Sequence, residues 1–375
     1  MHKLTARILI TLLGTFWITG CGDQRILEDL GFIHTASYDL MEQEESNADR
    51  QLKVTVSIPK ADREGKIKRE ILTTNAKTVK EARIKLSRQT ELSLVSGQLR
   101  NTLLGLELAR AGIWKNMDTF VRDPSISQRV KLTVVNGNAS DLLSKNFPQH
   151  PSTGQYIERM LEKEVKSQNV PYVTLYQFTR DYFDDGIDPI IPMVKEEKNN
   201  VVLDGIALFN EDKYVARIEP AKTLIFAMIR GDFNRGEISI DLGGKEAEAR
   251  NEVMFSSLVG HHKIAVTQNN KNNIQVKLDI KIQGSVLEYI GDLELVEETD
   301  KTKLEALVSA YLSKETEKMI QFMQQNQADS IGIGKAVRNS MSYEQWKQLD
   351  WKQVYPQVKV TCQIQVMMRD YGKSK

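Results

Sequence analysis

The sequence predicts an α+β fold: an elongated chain of about three domains, with mixed α/β sheets packed against helices, behind an N-terminal signal peptide. Three observations carry this expectation. Strand and helix periods alternate through the first half, β-patterned runs succeed one another in the middle, and a long amphipathic helix pattern precedes one last strand.

The first residues set the compartment. His2, Lys3 and Arg7 stand before an apolar run from Ile8 to Ile18, the charged-then-apolar order of a secretory signal peptide. As a helix at about 1.5 Å per residue the run would span roughly 17 Å, short of the roughly 30 Å hydrocarbon core that a spanning segment must cross. Ile18, Thr19, Gly20 and Cys21 then read as a lipobox, an aliphatic residue and two small ones before cysteine. Small side chains let a peptidase close on the backbone, and a cysteine thiolate is the nucleophile able to take up a diacylglyceryl group near neutral pH. Cleavage after Gly20 makes Cys21 the lipid-bearing first residue of the mature chain. The competing reading is an ordinary signal peptide whose last apolar turn happens to hold a cysteine. Two or three acyl chains at about 0.8 kcal/mol per buried methylene sum to on the order of 20 kcal/mol as an upper bound, which makes an effectively permanent anchor.

Composition narrows the function classes. Apolar residues make up 41% and charged residues 27% of 375, enough for a sizeable core. With 51 basic and 50 acidic residues the net charge is +1, so there is no basic field for phosphates, and nucleic acid is not an expected partner. Lipidation of Cys21 leaves Cys362 without an intramolecular partner, and its place in a strand-like run makes it a small buried hydrophobe.

Along the mature chain, Leu52, Val54, Val56 and Ile58 alternate with polar residues as a half-buried strand does. Thr78 precedes a helix carrying Val79, Ala82, Ile84 and Leu86. A short strand at 102–105, helical material over 107–122 and a β-branched strand at 130–135 follow. Residues 139–145 and 153–168 read as helices, and Pro189 and Pro192 as a loop. The polar run Lys195 to Asn200 reads as a boundary. Beyond it, 201–209 and 214–218 form a strand pair, 221–230 a helix, and 237–241, 253–257, 263–267 and 274–282 strands, with a hairpin turn at 269–273. The helix from Thr302 to about Asn326 presents Leu304, Leu307, Val308, Tyr311, Leu312, Met319, Ile320 and Met323 at helical spacing. Its apolar face needs a sheet, supplied by the preceding strands and the final one, 358–368. Trp346 and Trp351 fall on the connecting helix and turn. The expected division is a leader (1–20), an N-terminal α/β domain (21–195), a middle mainly β domain (196–285) and a C-terminal domain (286–375).

No motif points to catalysis or to a resident cofactor. His261 and His262 are adjacent in a strand, so they point to opposite faces and do not converge on a metal, while His34 and His150 are scattered. Gly332, Gly334 and Lys335 lack the spacing of a phosphate loop and read as the turn that starts a helix. Asp181, Asp184, Asp185 and Asp188 lack calcium-loop spacing and read as a solvated loop with at most weak ion binding. No serine occupies a nucleophile elbow.

The residues resemble a known family, the C-subunit lipoproteins of spore germinant receptors (the GerAC, GerBC and GerKC group). The likeness starts at Gly20-Cys21-Gly22-Asp23, continues through Arg25, Glu28, Leu30 and Gly31, and recurs at Thr78-Val79-Lys80-Glu81-Ala82. Arg122-Asp123, Gly137-Asn138-Ala139 with Leu143, and Asp204 to Phe209 extend it. Gly332-Ile333-Gly334, Trp346, Trp351 and Arg369-Asp370-Tyr371-Gly372 complete it. Two departures are Gly22, where the family usually has tryptophan, and Ser37-Tyr38-Asp39, which replaces a glycine-rich turn before aspartate. The resemblance implies an elongated lipoprotein of three α/β-type domains on the outer face of the inner spore membrane. There it acts with membrane subunits A and B in nutrient-triggered germination, without enzymatic activity and without a cofactor beyond the lipid on Cys21. Two other readings remain: a solute-binding lipoprotein of a transporter, with two lobes around a deep cleft, and an envelope hydrolase on the same anchor.

Overall fold

The computed structural model describes residues 29–41, 51–61, 67–150, 152–243, 251–270 and 273–370. Its first half is organised by one eight-stranded sheet. Strands β1 (Leu30–Phe32), β2 (Thr35–Leu40), β3 (Leu52–Ala61), β4 (Ile67–Ala76), β5 (Ser93–Val95), β6 (Asn101–Gly105), β7 (Lys131–Val135), β8 (Ile190–Glu197), β9 (Asn200–Asn210) and β10 (Lys213–Ile218) lie in this half. The sheet runs in the order β10-β9-β8-β7-β6-β2-β3-β4, with β2, β6, β7 and β8 mutually parallel and the outer strands antiparallel. β1 and β5 form a separate parallel pair.

Helices cover both faces of this sheet, as parallel strands require. Helices α1 (Val79–Ser87), α2 (Leu106–Ala111), α3 (Trp114–Arg122) and α6 (Leu175–Phe183) bury Leu86, Leu108, Phe120 and Phe178 on one face. On the other, α4 (Ala139–Ser144) and α5 (Thr153–Lys166) bury Leu143, Ile157 and Leu161 against Leu103, Val135 and Val194. Side-chain oxygens start four of these helices: Thr78, Asn138, Ser152 and Thr174 each accept from the N–H three residues on.

One sequence expectation changes here. The segment with Pro192, expected as a loop, is strand β8; β7 pairs only with its Met193 and Val194, so the proline stands clear of that ladder. The polar run expected as a boundary is a tight hairpin turn, Lys198 and Asn199 taking φ of 49° and 62°, the left-handed pair of a type I′ turn. Charge there marks a solvated turn between paired strands.

After a 3-10 turn at Pro220–Lys222, α7 (Thr223–Arg230) buries nearly every side chain and links the first sheet to the second. That second sheet has the order β11-β12-β13-β14: β11 (Glu237–Asp241), β12 (Glu252–Asn270), β13 (Asn273–Ile290) and β14 (Lys359–Asp370). The strands expected at 253–257 and 263–267 are one strand, β12, with an irregular register between Ser256 and Val259, and Gly260 lying under the Phe233 ring. The long helix is α8 (Glu298–Gln325), whose Leu304, Val308, Leu312, Met319, Ile320 and Met323 are buried against the sheet as expected, whereas Leu307, expected on the same face, is exposed and Tyr311 is half-buried. Three short helices, α9 (Ile333–Asn339), α10 (Tyr343–Lys347) and α11 (Trp351–Val354), lead into β14, which pairs parallel to β13. The positions at which the sequence suggested dividing the chain fall inside these pairings, 195/196 within β8 and 285/286 within β13. One apolar cluster runs through both halves, from Ile33 to Met368.

β14 is an edge strand, and α8 occupies its open side. The N–H groups of Ile364, Val366 and Met368 donate to Ser313 Oγ (3.1 Å), Ser309 Oγ (3.0 Å) and Glu305 Oε1 (2.6 Å). Four helical residues rise about 6 Å and two strand residues about 6.6 Å, so the two spacings run nearly in step. This ladder satisfies donors that would otherwise recruit another strand. Replacing Ser309 and Ser313 together by alanine is expected to cost about 2–3 kcal/mol in urea unfolding and to raise concentration-dependent self-association, since two half-buried N–H groups lose their acceptors. Unchanged stability would show that water replaces the hydroxyls without loss.

Candidate functional site: the clasp between the two sheets

Two loops meet where the halves join: 184–189, after α6, and 326–332, after α8. Asp188 and Asp329 bind one another reciprocally, the Asp188 N–H donating to the Asp329 carbonyl (3.0 Å) and the Asp329 N–H to Asp188 Oδ2 (2.7 Å). Asp188 Oδ1 also accepts from the N–H of Glu211 in the β9–β10 turn (3.0 Å). Asp329, 2% exposed, accepts from the N–H groups of Ile333 (2.8 Å) and Gly334 (2.6 Å) and from Trp351 Nε1 (3.0 Å). One buried carboxylate thus fastens the start of α9 to α11.

Glycine is required at the closest approach. Gly186, at φ +90°, accepts from the Lys335 N–H (2.8 Å), and a Cβ on it would lie 2.5 Å from the Gly334 carbonyl carbon. A Cβ on Gly334 would in turn meet the Trp351 indole nitrogen at 2.4 Å. Neither backbone can retreat, so the contact exists only between glycines.

Charge surrounds this core. Asp184 pairs with Lys335 (3.0 Å) and Arg338 (2.7 Å), and Arg338 also donates to the Asp185 carbonyl (2.7 Å). Asp185 Oδ2 accepts weakly from Trp346 Nε1 (3.4 Å) and stands 3.6 Å from the Lys347 ammonium. Asp181, buried on α6, is bracketed by Arg180 (2.6 Å) and by Arg230 at the end of α7 (3.0 Å). Lys352 pairs with Glu211. Trp346, Trp351 and Tyr355 form a tilted aromatic row with centroids 5.8 and 5.7 Å apart. A polar cleft of about 390 Å³ opens over this cluster.

Burial dominates the ionisation of the two bridging carboxyls. It pushes Asp329 up to about 7, with the neighbouring Asp188 adding to the rise and the N–H groups of Gly334 and Ile333 opposing it. Asp188 is raised from its ordinary value for the same first reason. Burial also works against the charge on Asp184, yet Lys335 and Arg338 hold its carboxyl below the usual range.

The acidic cluster expected as a solvated loop is therefore part of this junction: Asp184 meets Lys335 and Arg338, Asp185 stands near Lys347, Asp188 accepts from the Asp329 and Glu211 N–H groups, and Asp181 is held by Arg180 and Arg230. Gly332, Gly334 and Lys335 do start a helix, as expected, with Gly332 left-handed at φ +77°. His261 and His262 come closer than strand alternation implied: Nδ1 of each lies within 3.6 Å of Asp232, which reaches both from the strand's flank. No three metal-ligating side chains come together among the described residues. Cys362 is 9% exposed and its thiol is pushed by burial up to about 12, which leaves it unreactive. Gly20 and Cys21 lie outside the described residues. Asp329 was not singled out by the sequence; its only signal is its place three residues before Gly332.

Comparison with known proteins matches both halves in order. The family model described as "Spore germination protein N-terminal domain" matches residues 23–196, and that described as "Spore germination B3/GerAC like, C-terminal" matches residues 204–372. Spore germination protein GerQC of Bacillus cereus is 24% identical over 96% of this chain and 97% of its own. Spore germination protein B3 of Bacillus subtilis (strain 168) is 24% identical over 58% of this chain and 59% of its own. The crystal structure of the GerBC protein shares the fold, with a TM-score of 0.59 and 16% identity over 89% of this chain and 97% of that one.

Proposed function

Because the chain belongs to the GerAC-like family of spore germination proteins, we propose that it is the lipid-anchored C subunit of a germinant receptor. In this reading Cys21 holds it at the outer face of the inner spore membrane, where it acts with membrane subunits A and B in nutrient-triggered germination. The observation that carries the reading is the extent and order of the family match, which takes in both sheets and the clasp between them. The clasp favours it over a transporter's solute-binding protein. Lobes that close on a solute need freedom between them, whereas here backbone hydrogen bonds and one continuous apolar cluster cross the junction. No helix among the described residues is long and apolar enough to cross a membrane, so membrane residence in this reading depends on the lipid. The reading assigns the chain a scaffold's part and no catalytic step.

Isolation of the tagged chain from detergent-solubilised spore membranes tests it. Two membrane proteins of receptor A and B type are expected in fixed proportion with it. Recovery of the chain alone, or with a transport permease, would overturn the assignment.

A further inference from the structure

The sheet face that carries α1 and α3 is not fully closed. Beneath these helices and beside the loop after β5 lies a cavity of about 490 Å³, within the range of pockets that enclose small ligands. Its floor is apolar and buried, with Tyr38, Val56, Leu94, Leu99 and Phe120 facing it. Its mouth is charged: Lys80 and Arg83 on α1 stand across from Asp123 at the end of α3. Arg83 Nη1 is 3.8 Å from Asp123 Oδ2, beyond hydrogen-bond length. The other oxygen of Asp123 already accepts from the Ser125 hydroxyl (2.6 Å) and N–H (3.0 Å). The mouth therefore carries one positive charge in excess and a loosely engaged guanidinium. Ile84 is 57% exposed at the rim, so apolar surface continues from the floor out to the lip.

An apolar well with a guanidinium and an ammonium at its opening fits a molecule with an aliphatic body and an acidic head. The body fills the well, and the head takes up the Arg83 fork in charge-assisted hydrogen bonds that Asp123 does not make. We propose that this cavity binds a single aliphatic chain ending in a carboxylate or phosphate head. The same chemistry is offered by a free fatty acid and by one chain of an anionic phospholipid.

Calorimetric titration of dodecanoate into the full chain carrying Cys21→Ala tests the site without a covalent lipid in competition. Dodecyltrimethylammonium, with the same tail and the opposite head charge, is the control. One-to-one dodecanoate binding is expected, with the cation weaker by roughly tenfold or more, and Arg83→Glu weakening dodecanoate by a similar factor. Ser87 lines the exposed rim, so Ser87→Trp should close the mouth and abolish uptake while the unfolding midpoint stays put. Phosphatidylglycerol vesicles separate the sources: if they compete with dodecanoate the occupant is a membrane lipid chain, and if they do not it is a free acid. Equal affinity for both head charges, undiminished uptake by Ser87→Trp, or no dodecanoate binding would overturn the proposal.

Discussion

Asp329→Ala is expected to lower the unfolding free energy by about 3–5 kcal/mol, because it strands two buried N–H donors and a part-buried indole N–H at once. The Ile333 and Gly334 N–H groups and the Trp351 indole N–H have no other acceptor placed for them, and α9 and α11 are too short to hold position by propensity. Asp329→Asn keeps one oxygen and the side-chain shape, so it should cost less, and it isolates the charge. Folding raises this carboxyl from an ordinary value of 3.8 to about 7, so the folded state holds more protons than the unfolded chain between those values. The associated stabilisation is complete below about pH 4 and is lost as pH rises through about 7. Asp39, raised by burial to about 6, and Asp188, raised in direction, contribute with the same sign. Urea unfolding at pH 4.5, 6 and 7.5 should therefore show the native chain losing stability as pH rises, on the order of a few kcal/mol, and the Asn variant following a flatter curve. Parallel curves for the two proteins would mean that Asp329 stays ionised throughout on the strength of its three donors.

The pattern of periods was enough to place most elements because it is local. Thr78 announces its helix, and the α8 stripe from Leu304 to Met323 is legible because the sheet beneath it needs an apolar face. The junction was not legible, because its logic lies in pairs distant in sequence. Asp184, Asp185 and Asp188 look solvated from their neighbours alone, and the approach of Lys335, Arg338 and Asp329, some 140 to 155 residues away, together with the Glu211 N–H, gives them partners. Asp39 shows the same blindness: its carboxylate accepts from the Ala139 and Ser140 N–H groups at 2.7 Å each, holding the start of α4 from β2. The Glu305, Ser309 and Ser313 ladder was hidden for another reason. Polar residues on an amphipathic helix read as its wet side, and nothing in the period says that an edge strand will lie along them. Pro192 misled because proline marks turns on average, whereas a strand that ends its parallel pairing early tolerates it.

Cys21→Ala is the substitution from which the largest effect is expected, since on the proposed reading it removes the whole attachment to the membrane. One acyl chain binds only marginally, so stable residence needs at least two, at about 0.8 kcal/mol for each buried methylene. Cys362 cannot substitute, because its thiol is buried in β14 and pushed up to about 12, out of reach of an acyl donor. Palmitate labelling of the native chain should accordingly vanish in Cys21→Ala, and the chain should leave the membrane pellet after a carbonate wash. Germination should slow by roughly tenfold or more, because a tether confines the subunit near its partners at an effective concentration of about a millimolar, which free diffusion in the surrounding space does not supply. A leader exchanged for an ordinary secretory one, without the lipobox, separates loss of the lipid from loss of export: it should give an exported chain of normal amount, soluble and inactive. If that soluble chain restored germination at the native rate, the lipid would be dispensable and the affinity of the two sheets for their partners would be sufficient alone.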